Sequence, residues 1–184
     1  MILLLMCLGA IAQSADKLYE EGKRLYDAES YAKAFPKLKA AAEKGHKKAQ
    51  YRLGRCYDKG HGVAESDSIA FIWYMKSARQ EYAKAQYQVG KSYKNGEGVK
   101  KDRQKAFTWF MKAAQQDNAD GQLAVGKAYM KGKGVDQDLA KAKSWFKKAV
   151  KNPKGGSDIL KELRKEAAEG DEDARQILSM VGKS

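Results

Sequence analysis

Residues 85–118 read AQYQVGKSYKNGEGVKKDRQKAFTWFMKAAQQDN, and this pattern occurs three times along the chain with small changes. One copy begins 36 residues earlier at Ala49, and another begins 36 residues later at Gly121. Self-similarity at a fixed period of this length is typical of solenoid proteins built from stacked repeats. The repeat therefore organises most of the chain.

The same residue types return at the same positions of each copy. The recurring positions are Gly54, Gly90 and Gly126; Tyr57, Tyr93 and Tyr129; Gly60/Gly62, Gly96/Gly98 and Gly132/Gly134; Val63, Val99 and Val135; Ala70, Ala106 and Ala142; Trp73, Trp109 and Trp145; and Lys76, Lys112 and Lys148. All three tryptophans of the chain thus share one position, which chance would rarely produce.

These positions give the pattern A-x-x-x-[LV]-G-x-x-Y-x-x-G-x-G-V, followed by A-x-x-W-[YF]-x-K-[SA]-[AV], with Gly121 in place of one alanine. The pattern resembles the Sel1-like repeat family, relatives of the tetratricopeptide repeat whose unit is a pair of antiparallel helices. The resemblance implies an all-α fold, a right-handed α/α superhelical solenoid. It also implies a scaffold for partners, because such repeats serve mainly in that role.

The apolar start of the chain and the register of the repeat divide the chain into segments. They are a signal peptide at 1–12, an N-terminal tetratricopeptide-like repeat at 16–45, Sel1-like repeats at 48–83, 84–119 and 120–151, and a C-terminal helix with a capping half repeat at 157–184. The first helix is predicted to begin at Asp16, and Ser157 is predicted to cap a helix that ends near Ala168. Terminal repeats of this kind close the core with a polar outer face.

Each full repeat is predicted to contain a first helix, helix A, and a second helix, helix B. Helix A is predicted over 48–59, 84–95 and 120–131, and helix B over 67–79, 103–115 and 139–150. Glycine adopts the left-handed conformation that ends a helix, so the double-glycine turn separates the two helices. Asp102 and Asp138 are placed to cap helix B with their short carboxylates.

Composition limits the classes of function. With 184 residues and 43% hydrophobic content the chain can bury one continuous core, and its formal net charge of +13 makes it strongly basic. An acidic protein partner, an anionic surface or a nucleic acid must therefore be considered.

The chain begins MILLLMCLGAIAQSA, and its apolar run from Ile2 to Ala12 is too short to span a bilayer. It fits the hydrophobic region of a secretory signal peptide with an A-x-A cleavage site ending at Ala12. We expect cleavage after Ala12, a secreted or periplasmic mature protein, and no transmembrane span in that mature chain. The alternatives are an uncleaved anchor and a first helix packed on the repeats.

Removal of Cys7 with the leader would leave Cys56 as a lone cysteine. Its position is occupied by Ser92 and Ala128 in the other copies, so a small packed thiol is expected rather than a nucleophile or a metal ligand. Some secreted Sel1-like proteins carry a disulfide in each repeat, and this chain departs from that subgroup.

The sequence has no clear enzymatic site, and we predict a protein that is not an enzyme and needs no cofactor or metal. His46 lies in a turn and His61 lies between the turn glycines, where variable neighbours indicate solvated side chains. The pattern S-x-x-K occurs at Ser14, Ser30 and Ser144, which leaves a penicillin-recognising hydrolase as a weaker alternative. The accompanying S-D-N and K-T-G motifs are missing.

The best candidate site is one face of the A helices, which the resemblance places on the concave side of the solenoid. Positions four apart share a helix face, so aromatic and basic side chains would form two adjacent stripes. The predicted partner-binding residues are Tyr19, Lys23, Tyr51, Arg55, Tyr87, Lys91, Lys94, Lys127 and Met130. A protein or acidic peptide would fit, because cations supply charge-assisted hydrogen bonds and tyrosines supply contact area.

Two other interpretations of these residues stay open. The tyrosines can instead pack between helices, and the lysines can form a solvated face. The alternative partner is an anionic envelope polymer or membrane surface, recognised by lysines dispersed over helix B. Export argues against a nucleic acid partner, although aromatic and basic residues interleave. A monomer is expected.

Overall fold

The computed structural model of the chain describes the backbone of residues 2–182 and the side chains of residues 14–182. Within residues 2–182 every regular element is a helix, which confirms the all-α fold class. The helices are α1 (Ile2–Asp27), α2 (Tyr31–Glu43), α3 (Lys47–Lys59), α4 (Asp67–Arg79), α5 (Ala83–Asn95), α6 (Arg103–Gln115), α7 (Ala119–Lys131), α8 (Leu139–Lys151), α9 (Gly156–Ala168) and α10 (Glu172–Gly182).

The chain divides into two compact units, residues 1–100 with α1 to α5 and residues 101–184 with α6 to α10. The six helices of the full repeats lie within one residue of their predicted limits. Two other expectations were wrong. Helix α1 begins at Ile2 rather than Asp16, and α9 begins at Gly156, so that Ser157 lies inside the helix and Gly155 occupies the cap position. The side chains of the predicted leader, residues 1–12, lie outside the described residues.

The N-termini of the B helices are capped as predicted. The carboxylate of Asp102 accepts a hydrogen bond from the Lys105 amide at 2.9 Å, and Asp138 accepts one from the Lys141 amide at 2.8 Å. Ser66 takes the same place before α4. These bonds satisfy amides that a helix cannot pair internally, so each B helix begins at a defined residue.

The two turn glycines have different roles. Gly60 is left-handed with a φ of 65° and ends α3. Gly62 also has a positive φ, 76°, and a Cβ added to it would lie 2.5 Å from the carbonyl oxygen of Tyr31, the first residue of α2. The second glycine therefore lets each turn pack on the start of the preceding B helix.

Aromatic contacts join one repeat to the next inside each unit. The Phe35 ring of α2 meets the Tyr57 ring of α3 edge-on at 5.7 Å between centroids. The same contact recurs 36 residues later between Phe71 and Tyr93 at 5.4 Å, and again between Phe107 and Tyr129 at 5.3 Å. Edge-to-face contact is a favoured arrangement of aromatic rings. The recurring tyrosine position is thus an inter-repeat contact.

The helix pairs close tightly because glycine faces an aromatic ring. A Cβ on Gly54 would lie 2.6 Å from the Tyr74 ring, and a Cβ on Gly126 would lie 2.5 Å from the Phe146 ring. In the second unit, Phe146 packs in a buried cluster with Leu163 of α9 and Ile177 of α10, so the C-terminal helices cover the end of this core. No helix within the described residues is long and apolar enough to cross a membrane.

Candidate protein-binding face

The predicted site residues of the first unit lie on α1, α3 and α5, the A helices of that unit. We define the helix-A face as Lys23, Tyr51, Arg55, Tyr87 and Lys91, all of which are half-buried. Lys94 is exposed one turn further along α5. Lys127 of α7, in the second unit, is the equivalent of Lys91 and is half-buried.

Two residues predicted for this face belong to the core instead. Tyr19 is 6% exposed and Met130 is 3% exposed, so neither offers the surface that a partner would contact. Tyr19 packs in the buried cluster of the first unit and stacks on His46 with ring centroids 4.3 Å apart. Met130 packs in the cluster that contains Phe146. Helical spacing predicted that they lie on the binding face. Burial of their apolar surface stabilises the fold, so they pack in the core.

Tyr51 is held by two other tyrosines. Its ring lies 5.8 Å from the Tyr74 ring and 5.4 Å from the Tyr82 ring, the latter edge-on. Tyr74 is buried and donates its hydroxyl to the Asp58 carboxylate at 3.3 Å. Burial, followed by the neighbouring Asp58 charge, raises the pKa of Tyr74, so its hydroxyl stays protonated. The tyrosines therefore form a rigid aromatic support under the face.

Arg52 is a residue of this region that the sequence did not single out. Its guanidinium donates to the Asp27 carboxylate at 3.0 Å and lies 5.2 Å from the centre of the Tyr26 ring. Burial lowers the pKa of Arg52, but hydrogen bonds to Tyr19 and Asp27 outweigh it and raise the pKa overall. The equivalent residues are Gln88 and Ala124, so recurrence gave no signal for it.

Arg55, one helical turn from Tyr51, differs from Arg52 in its partners. Its guanidinium lies 5.8 Å from the Tyr26 ring, and no carboxylate in the described part of the chain forms an ion pair with it. Lys91, at the equivalent position of α5, also has no ion pair there. Lys23, by contrast, pairs with Asp27 at 3.5 Å. Arg55 and Lys91 are thus half-buried cations without an ion pair in the described part of the chain.

The two histidines are packed rather than solvated, which corrects the sequence-based expectation. His46 caps α3, accepting the Ala49 amide at Nδ1 over 3.0 Å, and burial lowers its pKa. His61 stacks on the Tyr31 ring at 3.8 Å and its Nδ1 lies 3.0 Å from the Tyr26 hydroxyl. Their ring nitrogens already serve structural contacts.

Cys56 has the environment of a structural thiol. It is fully buried, and burial raises its pKa to about 11, so at neutral pH it is a thiol and a poor nucleophile. Among the residues whose side chains are described, no group of histidines, cysteines and acidic residues could hold a metal ion.

Paired helices in register, glycine turns and inter-repeat aromatic contacts define a helical-repeat protein. The sequence profile of the Sel1 repeat matches residues 47–82, 83–118 and 119–153. The chain belongs to the Sel1 repeat family, whose members generally serve as scaffolds for protein interactions.

Solved structures show the same fold. A Sel1 repeat protein from Oxalobacter formigenes is 29% identical over 87% of this chain and 74% of its own, with a TM-score of 0.71. A protective antigen of uropathogenic Escherichia coli strains, which displays an SLR fold, is 30% identical over 98% of this chain and 40% of its own, with a TM-score of 0.75.

A third solved structure, cysteine rich protein B of Helicobacter pylori, is 26% identical over 77% of this chain and 94% of its own, with a TM-score of 0.52. No curated protein matches the chain.

Proposed function

We propose that the chain binds a protein partner through the helix-A face and recognises carboxylates on that partner. The observation that carries this proposal is Arg55, a half-buried cation beside tyrosine rings with no ion pair among the described residues. Burying a charge without a partner is costly, so an arriving carboxylate would gain more here than at a solvated lysine. Lys91 extends the same chemistry to α5.

The aromatic support favours a protein over a simple counterion. Tyr51 and Tyr87 are half-buried on the face, and Tyr51 is fixed by its ring contacts with Tyr74 and Tyr82. Tyrosine and arginine are enriched among the residues that dominate binding energy at protein interfaces, and tyrosine contributes contact area at low cost in conformational entropy. A segment with acidic and apolar residues would use both features.

The test is a selection of peptides from a random library on the wild-type protein and on the double variant Arg55→Glu/Lys91→Glu. A variant with the same charge change at exposed lysines of the second unit, Lys133→Glu/Lys161→Glu, is the control. We expect peptides rich in Asp and Glu from the wild type and control, with binding at least about tenfold weaker to the face variant. Equal binding to all three proteins would contradict the proposal.

A basic binder of an anionic envelope polymer is the second candidate, supported by the net charge of +13. Such binding would fall steeply with salt, because many weak contacts release counterions together. It would also survive the face variant. Salt titration of the same proteins with polyphosphate therefore separates the two candidates.

Export is also a proposal. We propose that residues 1–12 act as a leader that is cleaved after Ala12, on the strength of their apolar run and A-x-A ending. Mass spectrometry of the protein purified from its native host should find Gln13 as the mature N-terminus. An intact N-terminus at residue 1 would argue for a retained helix or anchor.

A further inference from the structure

A cleft in the second unit is lined by none of the residues of the helix-A face. It has a volume of about 650 Å³ and is lined by the turn between α6 and α7, by α7 and α8, and by the loop before α9. The residues that matter here are Asp117, Trp145, Lys148, Lys151, Asn152 and Lys154. Its volume lies in the range of clefts that hold small ligands or short peptide segments.

The loop that forms one wall is held in place by Asn152. This side chain is 8% exposed and donates to the Asp117 carbonyl and to the Gln122 side chain, both at 3.0 Å. Its own oxygen accepts the Lys154 amide at 2.8 Å. Pro153 lies between them and limits the backbone further. The backbone of Lys154 is thus held at the edge of the cleft.

The charge of the lining is unbalanced. Lys148, Lys151 and Lys154 are exposed, and none of them forms an ion pair with a carboxylate in the described part of the chain. Asp117 is the lone carboxylate of the lining, so three cations face one anion for a net charge of +2. Like charges gathered at a concave surface favour an anionic ligand.

Trp145 adds an apolar wall to this cationic lining. The Lys148 ammonium lies 4.4 Å from the centre of its indole ring, a cation–π contact that positions the lysine. Trp73 with Lys76 and Trp109 with Lys112 make the same contact at 4.1 and 4.4 Å, so the pair is a feature of the repeat.

The other two lysines are particular to the third repeat. The equivalents of Lys151 are Gln115 and Arg79, and those of Lys154 are Asn118 and Tyr82. The full set of three lysines beside a tryptophan therefore occurs in one repeat, where the helix-to-helix turn is replaced by the Asn152–Pro153 loop.

We propose that this cleft is a second binding site, for a short acidic peptide segment that carries at least two carboxylates and an apolar side chain. The carboxylates pair with Lys151 and Lys154, which form no ion pair with any side chain that the structure describes, and the apolar side chain packs on Trp145. The cleft has no residue in common with the helix-A face, although both proposals call for a protein partner with acidic and apolar residues.

The test uses a fluorescein-labelled peptide, Glu-Glu-Leu-Glu-Glu, and its isostere Gln-Gln-Leu-Gln-Gln, with binding followed by fluorescence anisotropy at physiological salt. We expect the acidic peptide to bind the wild type at least about tenfold more tightly than the isostere. Lys151→Glu/Lys154→Glu should weaken it at least about tenfold, whereas Lys133→Glu/Lys161→Glu, with the same charge change, should alter it less than about twofold. NMR should show the Trp145 indole signal as the most perturbed of the three tryptophans.

Three outcomes would overturn the cleft proposal. Equal loss in both lysine variants would indicate unspecific attraction to positive charge. Binding that is lost in Arg55→Glu/Lys91→Glu and kept in Lys151→Glu/Lys154→Glu would assign the peptide to the helix-A face, which removes the cleft and leaves the proposed function intact. Saturable binding of polyphosphate at Trp145, with none of the acidic peptide, would assign the cleft to a phosphate polymer.

Discussion

The two units place opposite chemistry at one equivalent pair of positions. In the first unit the Tyr74 hydroxyl donates to the Asp58 carboxylate at 3.3 Å, and the Asp58 side chain keeps 26% of its surface exposed. In the second unit the same two positions hold Phe146, fully buried, and Met130, 3% exposed, in one apolar cluster. In both units a glycine faces the ring, Gly54 against Tyr74 and Gly126 against Phe146.

The difference shows that this position of helix A lies at the border between core and surface. A carboxylate there turns to solvent and to a tyrosine hydroxyl, whereas a methionine turns inward against phenylalanine. The members of each pair suit one another: a hydroxyl in a buried site needs an acceptor, and a thioether beside an aromatic ring needs none. Replacing one member of a pair by its equivalent from the other unit should therefore lower the free energy of unfolding. Replacing both members together should lower it much less.

The largest effect is expected for Met130→Asp in the second unit. Met130 is 3% exposed beside Phe146, which has no hydroxyl, so an aspartate here would be desolvated without the hydrogen bond that Asp58 accepts, at a cost of about 3 kcal/mol or more in the free energy of unfolding. Urea denaturation followed by circular dichroism measures it. Met130→Leu, a swap of similar volume, should cost less than about 1.5 kcal/mol. Equal stability of the two variants would mean that Met130 is not in the core.

The double-glycine turn is the part that both units should share. Gly62→Ala places a Cβ 2.5 Å from the Tyr31 carbonyl oxygen at a φ of 76°, so we expect a loss of about 2–4 kcal/mol. Gly45→Ala is the control, since its φ is also positive, 90°, and nothing lies within 4 Å of its Cβ. That variant should lose only about 1 kcal/mol, the cost of the left-handed backbone. Similar losses in both would show that the close approach is not limiting.

The pairing of Asp58 with Tyr74 can be tested by replacing them with the residue types that the second unit has at these positions, methionine and phenylalanine. Asp58→Met alone leaves a buried hydroxyl without its acceptor and should cost about 1–3 kcal/mol. Adding Tyr74→Phe should recover most of that loss, because it recreates the Met130 and Phe146 combination. A double-mutant cycle by urea denaturation gives the coupling energy, and additive losses would show that the two positions are independent.

The smallest effect concerns the caps of α3 and α7. His46 caps the first, while Asn118, at the same position of the repeat, caps the second and accepts the Gly121 amide at 2.7 Å. Burial lowers the pKa of His46 below its ordinary value of 6.5, although Asp16 opposes this. The unfolded chain then takes up the proton first, so wild-type stability should fall as pH drops below about 6.5.

His46→Asn should remove that particular loss and keep the cap. Melting temperatures of both proteins at pH 7.5 and pH 5.5 would reveal it as a difference that grows, in favour of the variant, at the lower pH. His46→Ala should be about 1 kcal/mol less stable than His46→Asn at both pH values, since it removes the cap itself. A difference between wild type and His46→Asn that does not change with pH would exclude a role for His46 titration.

Much of the fold could be predicted from the sequence, because its determinants are local and repeated. The limits of α4, α6 and α8 follow from a capping Ser66, Asp102 or Asp138 and an apolar face, all within a few residues of the helix. The start of α9 at Gly156 was missed, because Gly155 takes the cap position with an unusual φ of 130° and the backbone of Gly156 packs against Val150, contacts that the sequence pattern does not show.

The candidate face could be predicted only in part. The recurring columns identified Tyr51, Arg55 and Lys91, but they also included Met130, whose column changes chemistry from one repeat to the next. Arg52 was missed because its partner Asp27 lies 25 residues away on another helix. A pattern that repeats along the chain cannot reveal a contact made in one repeat alone.

The sequence by itself determined the family, the helical repeat and the turns, since caps and left-handed glycines act over a few neighbouring residues and the 36-residue period multiplies the signal. The tertiary structure alone decided that Tyr19 and Met130 are buried, that Arg55 has no ion pair within residues 14–182, and that Lys151 and Lys154 meet Trp145 around a cleft. These properties depend on residues that are distant along the chain and adjacent in space. Burial and charge pairing are set by such neighbours.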